Sequence, residues 1–524
     1  MDAPHTGHPR RWSILAVLVV SLLVVVLDNT ILNVAMKTIA DPHRGLGASQ
    51  SQLEWAINSY TLVFAGLLFT AGILGDRLGR KRVLLTGMAL FGLASLASAY
   101  ANSPAQLIGA RALMGIGGAA ILPVTLSIIA NVFDPRERAK AIGFWAGAVG
   151  LAVAIGPVVG GALLEHFWWG SVFLINVPIV LAGIVGMVLL VPESRDPAPG
   201  RVDVPGVLLS IAGLGIFVYG IITGGQSGHW GQLKVVGSVL AGVAILALFV
   251  WYEAHTDHPA LDVRLFRNPR FSAAVAAVGL VFFAAMGTFF FSAFYLQLVR
   301  GYSPLETGLL FLPFAGAQLV FAPRSAAMVV RYGPKAVCAV GLSIVTLTLA
   351  AFVFVTMDTP IWVLMVVFFF QGVGMANVIP PTAEAVLSSV PRERAGVASA
   401  VNNTIRQIGG ALGVAVLGSV LSGVYRGQIS GQLRGLPAGA RDAAAESVSA
   451  TYAAAGQVGG TAGNALLGAA NDAFVTAMHW SAAGSAVAAL IGVLAVLRWL
   501  PRHSAAHPTA PVAPAAEAAL AEAS

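Results

Sequence analysis

Two charged residues stand where a charge is hardest to keep. Asp28 lies in SLLVVVLDNTILNVAM and Arg111 in LIGARALMGIGGAA, each inside a long apolar run. Such a run is the length that crosses a bilayer as a helix, and burying an ionised group there costs several kcal/mol, so such residues are functional by default. An acid held in hydrocarbon can take up and release a proton during a cycle, and a nearby arginine can hold it between those events. At 1.5 Å per residue, Asp28 falls ~22 Å along its span in a core ~30 Å thick. Arg111, entering from the opposite face, falls ~9 Å from that face and so at nearly the same depth. The expectation is a proton-coupling pair, Asp28 with Arg111; the alternative is a permanently paired structural aspartate.

Other polar groups share this apolar setting. Asn33, Asn58, Glu384, Asn403, Arg406 and Gln407 are candidates to line a substrate cavity, with Asn402 beside them. Glu384 is only about a turn from a membrane face, so an interfacial ion pair is an equal reading for it. The aromatic stretch Phe282–Tyr295 could offer ring faces to an organic cation, or simply pack in the core. GILGDRLGRKR (72–82) places Gly75, Asp76, Arg77, Gly79 and Arg80 in a short polar turn, expected to act as a conformational latch. GFWAGAVGLAVAIGPVVGG (143–161) sets Gly147, Gly156, Gly160 and Gly161 at spacings that let helices approach backbone to backbone, with Pro157 removing one helical bond. Both simple packing and a kinked hinge fit that stretch.

These residues need a membrane scaffold, and the composition supplies one. Of 524 residues, 57% are hydrophobic and 10% charged, against about 25% charged in soluble domains, and the mean hydropathy is +0.81. Short alternating segments of the β-barrel kind are absent from the sequence. Spans are expected near 13–36, 53–75, 83–101, 105–131, 140–164, 171–191, 204–224, 233–254, 271–298, 305–330, 336–356, 360–387, 396–424 and 473–500. That is fourteen helices. The net charge of +7 is sided: 20 of the 30 Lys and Arg residues fall on one face of this arrangement and 7 on the other. The positive-inside rule makes the richer face cytoplasmic and puts both termini there, so the excess orients the chain and does not bind nucleic acid. The first apolar run is too long for a cleavable signal. The lone Cys338 excludes an intrachain disulfide.

The pentapeptide PRERA occurs at 135–139 and again at 391–395, an offset of 256 residues. Asp76-Arg77-Leu78-Gly79-Arg80-Lys81 has a fainter echo in Val330-Arg331-Tyr332-Gly333-Pro334-Lys335, offset by 254. Two matches in nearly one register imply a duplication. The expected organisation is a cytoplasmic N-terminus (1–12), a six-helix half (13–192), two inserted helices (203–254), and a second six-helix half (271–500). That second half carries a long outside loop (425–471), and a disordered cytoplasmic tail (501–524) follows it. Six plus six helices in parallel repeat, with a site between the halves near the midplane, is the plan of the major facilitator fold.

The same stretches resemble a family. LDNTILNVA (27–35), GILGDRLGRKR (72–82), LIGARALMGIGGAA (107–120), the GPVVGG end of the glycine-rich stretch and WWGSVFLINVPI (168–179) are similar to motifs of the fourteen-helix drug:proton antiporter family of the major facilitator superfamily, over about residues 12–500. The resemblance implies an all-α polytopic cell-membrane exporter, driven by protons, that moves lipophilic or cationic drugs by alternating access. It implies no cofactor and no metal, and the chain is expected to be a monomer. Where some members that export dicationic drugs carry acids, this chain has Asn58, Asn402, Asn403 and Gln407, which leaves Asp28 as the principal membrane acid and Glu384 as the second. A dedicated exporter of one antibiotic is the alternative. An enzyme or channel would need a metal cluster, a nucleophile with its base, or a charged filter, and neither these nor a Walker-type loop appears in the sequence.

Overall fold

Polar residues set where the helices start. Ser49 and Ser303 each form a reciprocal capping box, with Gln52 and Glu306, and Ser103, Asp203 and Asn268 cap the helices that open on Pro104, Val204-Pro205 and Pro269. Once started, the runs continue because in lipid a helix is the one open-chain structure that satisfies its own backbone. A computed structural model describes residues 8–195, 203–389 except 258, 260 and 262, 395–434, 441, 444–445 and 448–500.

The first set comprises α1 (Arg11–Ala40), α2 (Gln50–Leu78), α3 (Arg80–Ala99), α4 (Pro104–Val132), α5 (Pro135–His166), a short α6 (Ser171–Leu174) and α7 (Asn176–Leu190). Two helices follow, α8 (Val204–Ser227) and α9 (Leu233–His255). The second set is α10 (Pro269–Phe294), α11 (Pro304–Leu310), α12 (Leu312–Tyr332), α13 (Pro334–Ala351), α14 (Ile361–Ala376), α15 (Ile379–Ser388), α16 (Ala395–Ile429), α17 (Val448–Val458) and α18 (Gly460–Trp499). Among the described residues, twelve helices are long and apolar enough to cross a membrane, or thirteen when α2, bent by 52° near residue 69, counts as one span. The remaining expected span, 140–164, falls in the 32-residue α5.

The packing repeats as the sequence does. In the first set α1 lies on α5 and α7, α2 on α4, and α3 on α4 and α7; in the second, α10 lies on α16 and α18, α12 on α14, and α13 on α14 and α18. The echoed motif reappears in the backbone: Gly79 (φ +112°) joins α2 to α3 and Gly333 (φ +82°) joins α12 to α13. Both corners need a positive φ that side chains resist. The sets meet along two crosswise seams, α5 on α11 and α12, and α2 on α16.

Much of the stretch read as an outside loop, 425–471, is helical among the described residues. α16 runs on to Ile429, α17 occupies 448–458, and α18 begins at Gly460 and extends for 40 residues. Its Ala-rich composition favours helix, and Tyr452 ties it down, its hydroxyl oxygen standing 2.9 Å from Leu298 O and 2.6 Å from Asn471 Oδ1. The expected tail, 501–524, and the second PRERA up to Arg394 lie outside the described residues.

α8 covers one seam. It packs on both α2 and α16, Ser419 Oγ donating to Ile221 O (2.8 Å), and Leu62, Val218, Ile222, Ala411 and Ala415 form a small apolar core among the three helices.

Candidate functional site

Asp28 and Arg111 meet. Both side chains are about 1% exposed, and Arg111 Nη1 donates to Asp28 Oδ2. Arg111 Nε donates to Ala56 O (3.0 Å), and its guanidinium carbon stands 4.4 Å from the Tyr60 ring centre, so α2 supplies both a carbonyl and an aromatic face. Asp28 Oδ1 accepts from Asn176 Nδ2 (3.1 Å), which also lies 3.0 Å from Ser95 Oγ; Ser95 in turn donates to Phe173 O (2.8 Å). Five helices, α1, α2, α3, α4 and α7, are thus joined through one carboxylate.

Through these contacts Asp28 ties α1 to α4 and α7. A buried ion pair is a poor source of net stability but a strong determinant of which arrangement is adopted, because removing one partner strands the other. Ala56, Tyr60, Ser95 and Asn176 were not singled out by sequence; only Asn176, a lone amide in an apolar run, gave a signal.

The latch residues divide. Asp76 accepts from Arg80 (2.9 Å), and further contacts run to the chain after α7: Arg80 N donates to Ser194 O (2.9 Å) and Lys81 N to Glu193 Oε1 (3.1 Å). A methyl group on Gly79 would sit 2.7 Å from the Glu193 carboxylate, and one on Gly75 2.9 Å from Val124. Arg77 is exposed and takes no part in this network.

The glycine-rich stretch makes two contacts. A Cβ on Gly156 would fall 1.9 Å from Thr30 Oγ1, and one on Gly160 2.8 Å from Ile31, so α5 rests its backbone on α1. A Cβ on Gly161 would fall 2.5 Å from Leu305 Cα and Pro304 O, and one on Gly308 would collide with Pro157 O, so the same helix end meets α11 of the second set. Gly147 lies within α5, its surroundings outside the described residues. Close by, Lys37 Nζ donates to Gln297 O (2.6 Å) and Gln297 Nε2 to Val34 O (2.9 Å), a reciprocal clamp between α1 and the π-turn that ends α10 (Tyr295–Val299).

The cavity candidates do not form one cluster. Arg406 is half-buried on α16 with its guanidinium carbon 5.4 Å from the Phe282 ring; no acid stands within ion-pair distance among the described residues. Asn402 Oδ1 has no hydrogen-bond partner, and Asn403 and Gln407 are half-buried beside it. Asn33 donates to Asn29 O within α1 (3.1 Å). Asn58 is fully buried with neither amide atom bonded. Of the aromatic stretch, Phe290, Phe291, Phe294 and Tyr295 are buried in the core, so most of those rings are not cavity walls.

Another acid is more deeply buried than Glu384. Glu384, read as the second membrane acid, is exposed on α15, whereas Glu54 on α2 is 1% exposed. Glu54 follows the polar run Ser49-Gln50-Ser51-Gln52 and so reads as helix-end decoration; the seam with α16, invisible in sequence, is what buries it. No cluster of three or more His, Cys, Asp or Glu able to hold a metal occurs among the described residues.

Comparison with known proteins agrees with this architecture. The family model described as Major Facilitator Superfamily matches residues 18–414. The multidrug efflux pump LfrA of Mycolicibacterium smegmatis is 37% identical over 425 residues, covering 78% of this chain and 81% of the relative. The tetracenomycin C resistance and export protein of Streptomyces glaucescens is 36% identical over 410 residues (78% and 76%), and the methyl viologen resistance protein SmvA of Salmonella typhimurium is 35% identical over 415 (78% and 82%). In fold, the chain is similar to a bacterial homologue of the human lysosomal transporter Spinster, solved inward-facing and unoccupied, with a TM-score of 0.65 at 19% identity, covering 94% of this chain and 98% of that one.

Proposed function

The chain belongs to the Major Facilitator Superfamily, and on that premise we propose that it is a proton-coupled exporter of lipophilic or cationic drugs. Its relatives are efflux and resistance proteins, which supports export. The observation that carries the coupling is the Asp28–Arg111 pair, a buried carboxylate shared by three helices of the first half. A proton arriving at Asp28 frees Arg111, loosens α1 from α4 and favours one arrangement of the first six helices; losing the proton restores the other.

Charge sidedness supports a cytoplasmic location for both termini in the cell membrane. The ends where α1, α5 and α10 finish are then outer ends. The Gly161–Leu305, Gly308–Pro157 and Lys37–Gln297 contacts all lie there, which supports an alternating-access state shut on the outside. Two six-helix halves rocking about these seams, with α8 and α9 inserted between them in sequence, account for the repeated packing. The Gly79 corner and its Glu193 contacts serve as the cytoplasmic latch, and the lower reaches of α16 around Arg406 line the substrate path.

Ethidium efflux from cells expressing wild type or Asp28→Asn, with and without a protonophore, tests this. Efflux in wild type that a protonophore stops, and its loss in the variant, is the expected result; efflux indifferent to both overturns proton coupling. A dedicated exporter of one secreted antibiotic is the second reading, favoured by the relative named for tetracenomycin C resistance and export. Efflux of several unrelated dyes would decide against it.

A further inference from the structure

The α2–α16 seam holds a buried acid that the Asp28 network does not use. Glu54 is 1% exposed, its carboxylate makes no ion pair among the described residues, and it borders a small cavity. Its side chain lies flat on α16: a Cβ on Gly418 would come within 2.4 Å of Oε1 and 2.7 Å of Cδ. One helical turn along the same face of α2 stands Asn58, fully buried, with both amide atoms unbonded. Leu62, another turn on, packs on Ala411 and Ala415 of α16. The face of α2 pressed on α16 therefore carries an acid without an ion pair and an unbonded amide in succession.

Buried polar groups are almost always bonded and buried charges paired, and two exceptions in succession call for a reason. Here both groups lie where the two halves meet. Shutting the seam strips them of water without giving Glu54 a counter-charge, and an ionised carboxylate in that position is far more costly than a neutral one. The charged groups around Glu54 do not relieve it. Arg426 of α16 lines the same small cavity, of about 10 Å³, without reaching ion-pair distance. Arg111 of α4 and Asp28 of α1 are committed to each other, and α8 brings Tyr219, near Trp55, with Lys234 of α9 over its ring.

We propose that Glu54 is a proton-operated gate on the α2–α16 seam, neutral when the outer end of the seam is shut on Gly418 and ionised when it is open to water. The proton belongs to the gate and not to the transported stoichiometry, since in the shut state Glu54 is sealed and on reopening faces the same side from which it was protonated. Asn58 acts with it, as an amide that gains water when the seam parts. This rests on the alternating-access reading above, and adds a site at which outside pH biases the shut state against the open one.

The test uses the full chain, purified into lipid nanodiscs, with Cys338→Ala removing the single native cysteine and spin labels at Arg44→Cys and Gln428→Cys, both exposed at the outer ends of the two halves. With Asp28→Asn present throughout, so that the other proton-linked carboxylate is silent, the share of the wide-spaced conformer should rise at least about tenfold between about pH 5 and about pH 9, and adding Glu54→Gln should hold it within about twofold. Glu54→Asp should retain the titration. An unchanged pH response on adding Glu54→Gln, or no response before it is added, overturns the gate. Ethidium efflux by Asp28→Asn reports the transport reading separately, so the two can fail independently.

Discussion

The two halves pack alike, yet their polar interiors differ. In the first, one carboxylate ties five helices together through Arg111 and Asn176. About 255 residues after Asp28 the second half has Phe283, and after Arg111 it has Val366, so neither partner recurs. What the second half holds instead is Arg406, resting on the face of Phe282 with no acid to pair with among the described residues. A closed ion pair suits a proton switch, because protonation changes what holds the helices together. An arginine on a ring suits a passage, because its charge is available to whatever enters. The scaffold is repeated, and the chemistry differs between the halves.

Substitutions at corresponding depth should break that contrast or sharpen it. Arg111→Met should have the largest effect: Asp28 is left buried and unpaired, a loss of about 3–5 kcal/mol, read as a lowered melting temperature and poor recovery on size exclusion. Adding Asp28→Asn to it should recover most of that stability and none of the efflux; an equally unstable double variant would mean that the pair is not what holds the helices. Asn176→Ala should cost about 1–2 kcal/mol and weaken protonophore-sensitive efflux, since Asp28 and Ser95 both lose a donor. Arg406→Ala should cost less than about 1 kcal/mol, the worth of a ring contact, while shifting the relative efflux of cationic and neutral dyes. If Arg406→Ala destabilises as strongly as Arg111→Met, the halves do not differ as argued. Smallest on transport should be Gly333→Ala, at the cost of a positive φ, of order 1 kcal/mol; Gly79→Ala carries that cost together with a clash against Glu193, read in the same thermal assay.

The fold was readable because lipid leaves so few choices. Apolar runs of the right length must be helices, charge sidedness orients them, and PRERA revealed the repeat. Depth counting could pair Asp28 with Arg111 because both positions follow from distance along a helix. It could not find Asn176 or Ser95, because whether they face Asp28 depends on how α3 and α7 are rotated, and these helices show hardly any amphipathic bias to read. The same limit explains Glu54. Its place near the end of a span suggests a water-facing residue, and only α16, arriving from more than 350 residues later, turns that end into an interior. The extension of α18 well beyond its apolar segment was missed for a simpler reason: hydropathy marks where a helix is in lipid, not where it stops.

α8 lies along the α2–α16 seam and fills its outer flank with Ile222, Val218 and Leu214, while the opposite seam, between α5 and α12, has no such cover among the described helices. A greasy compound already dissolved in the bilayer thus meets two different walls. On one flank it finds a third helix in the doorway, and on the other only two helix backs that part as the halves rock. The frame is repeated, but among the described helices it presents two unlike flanks to the surrounding lipid.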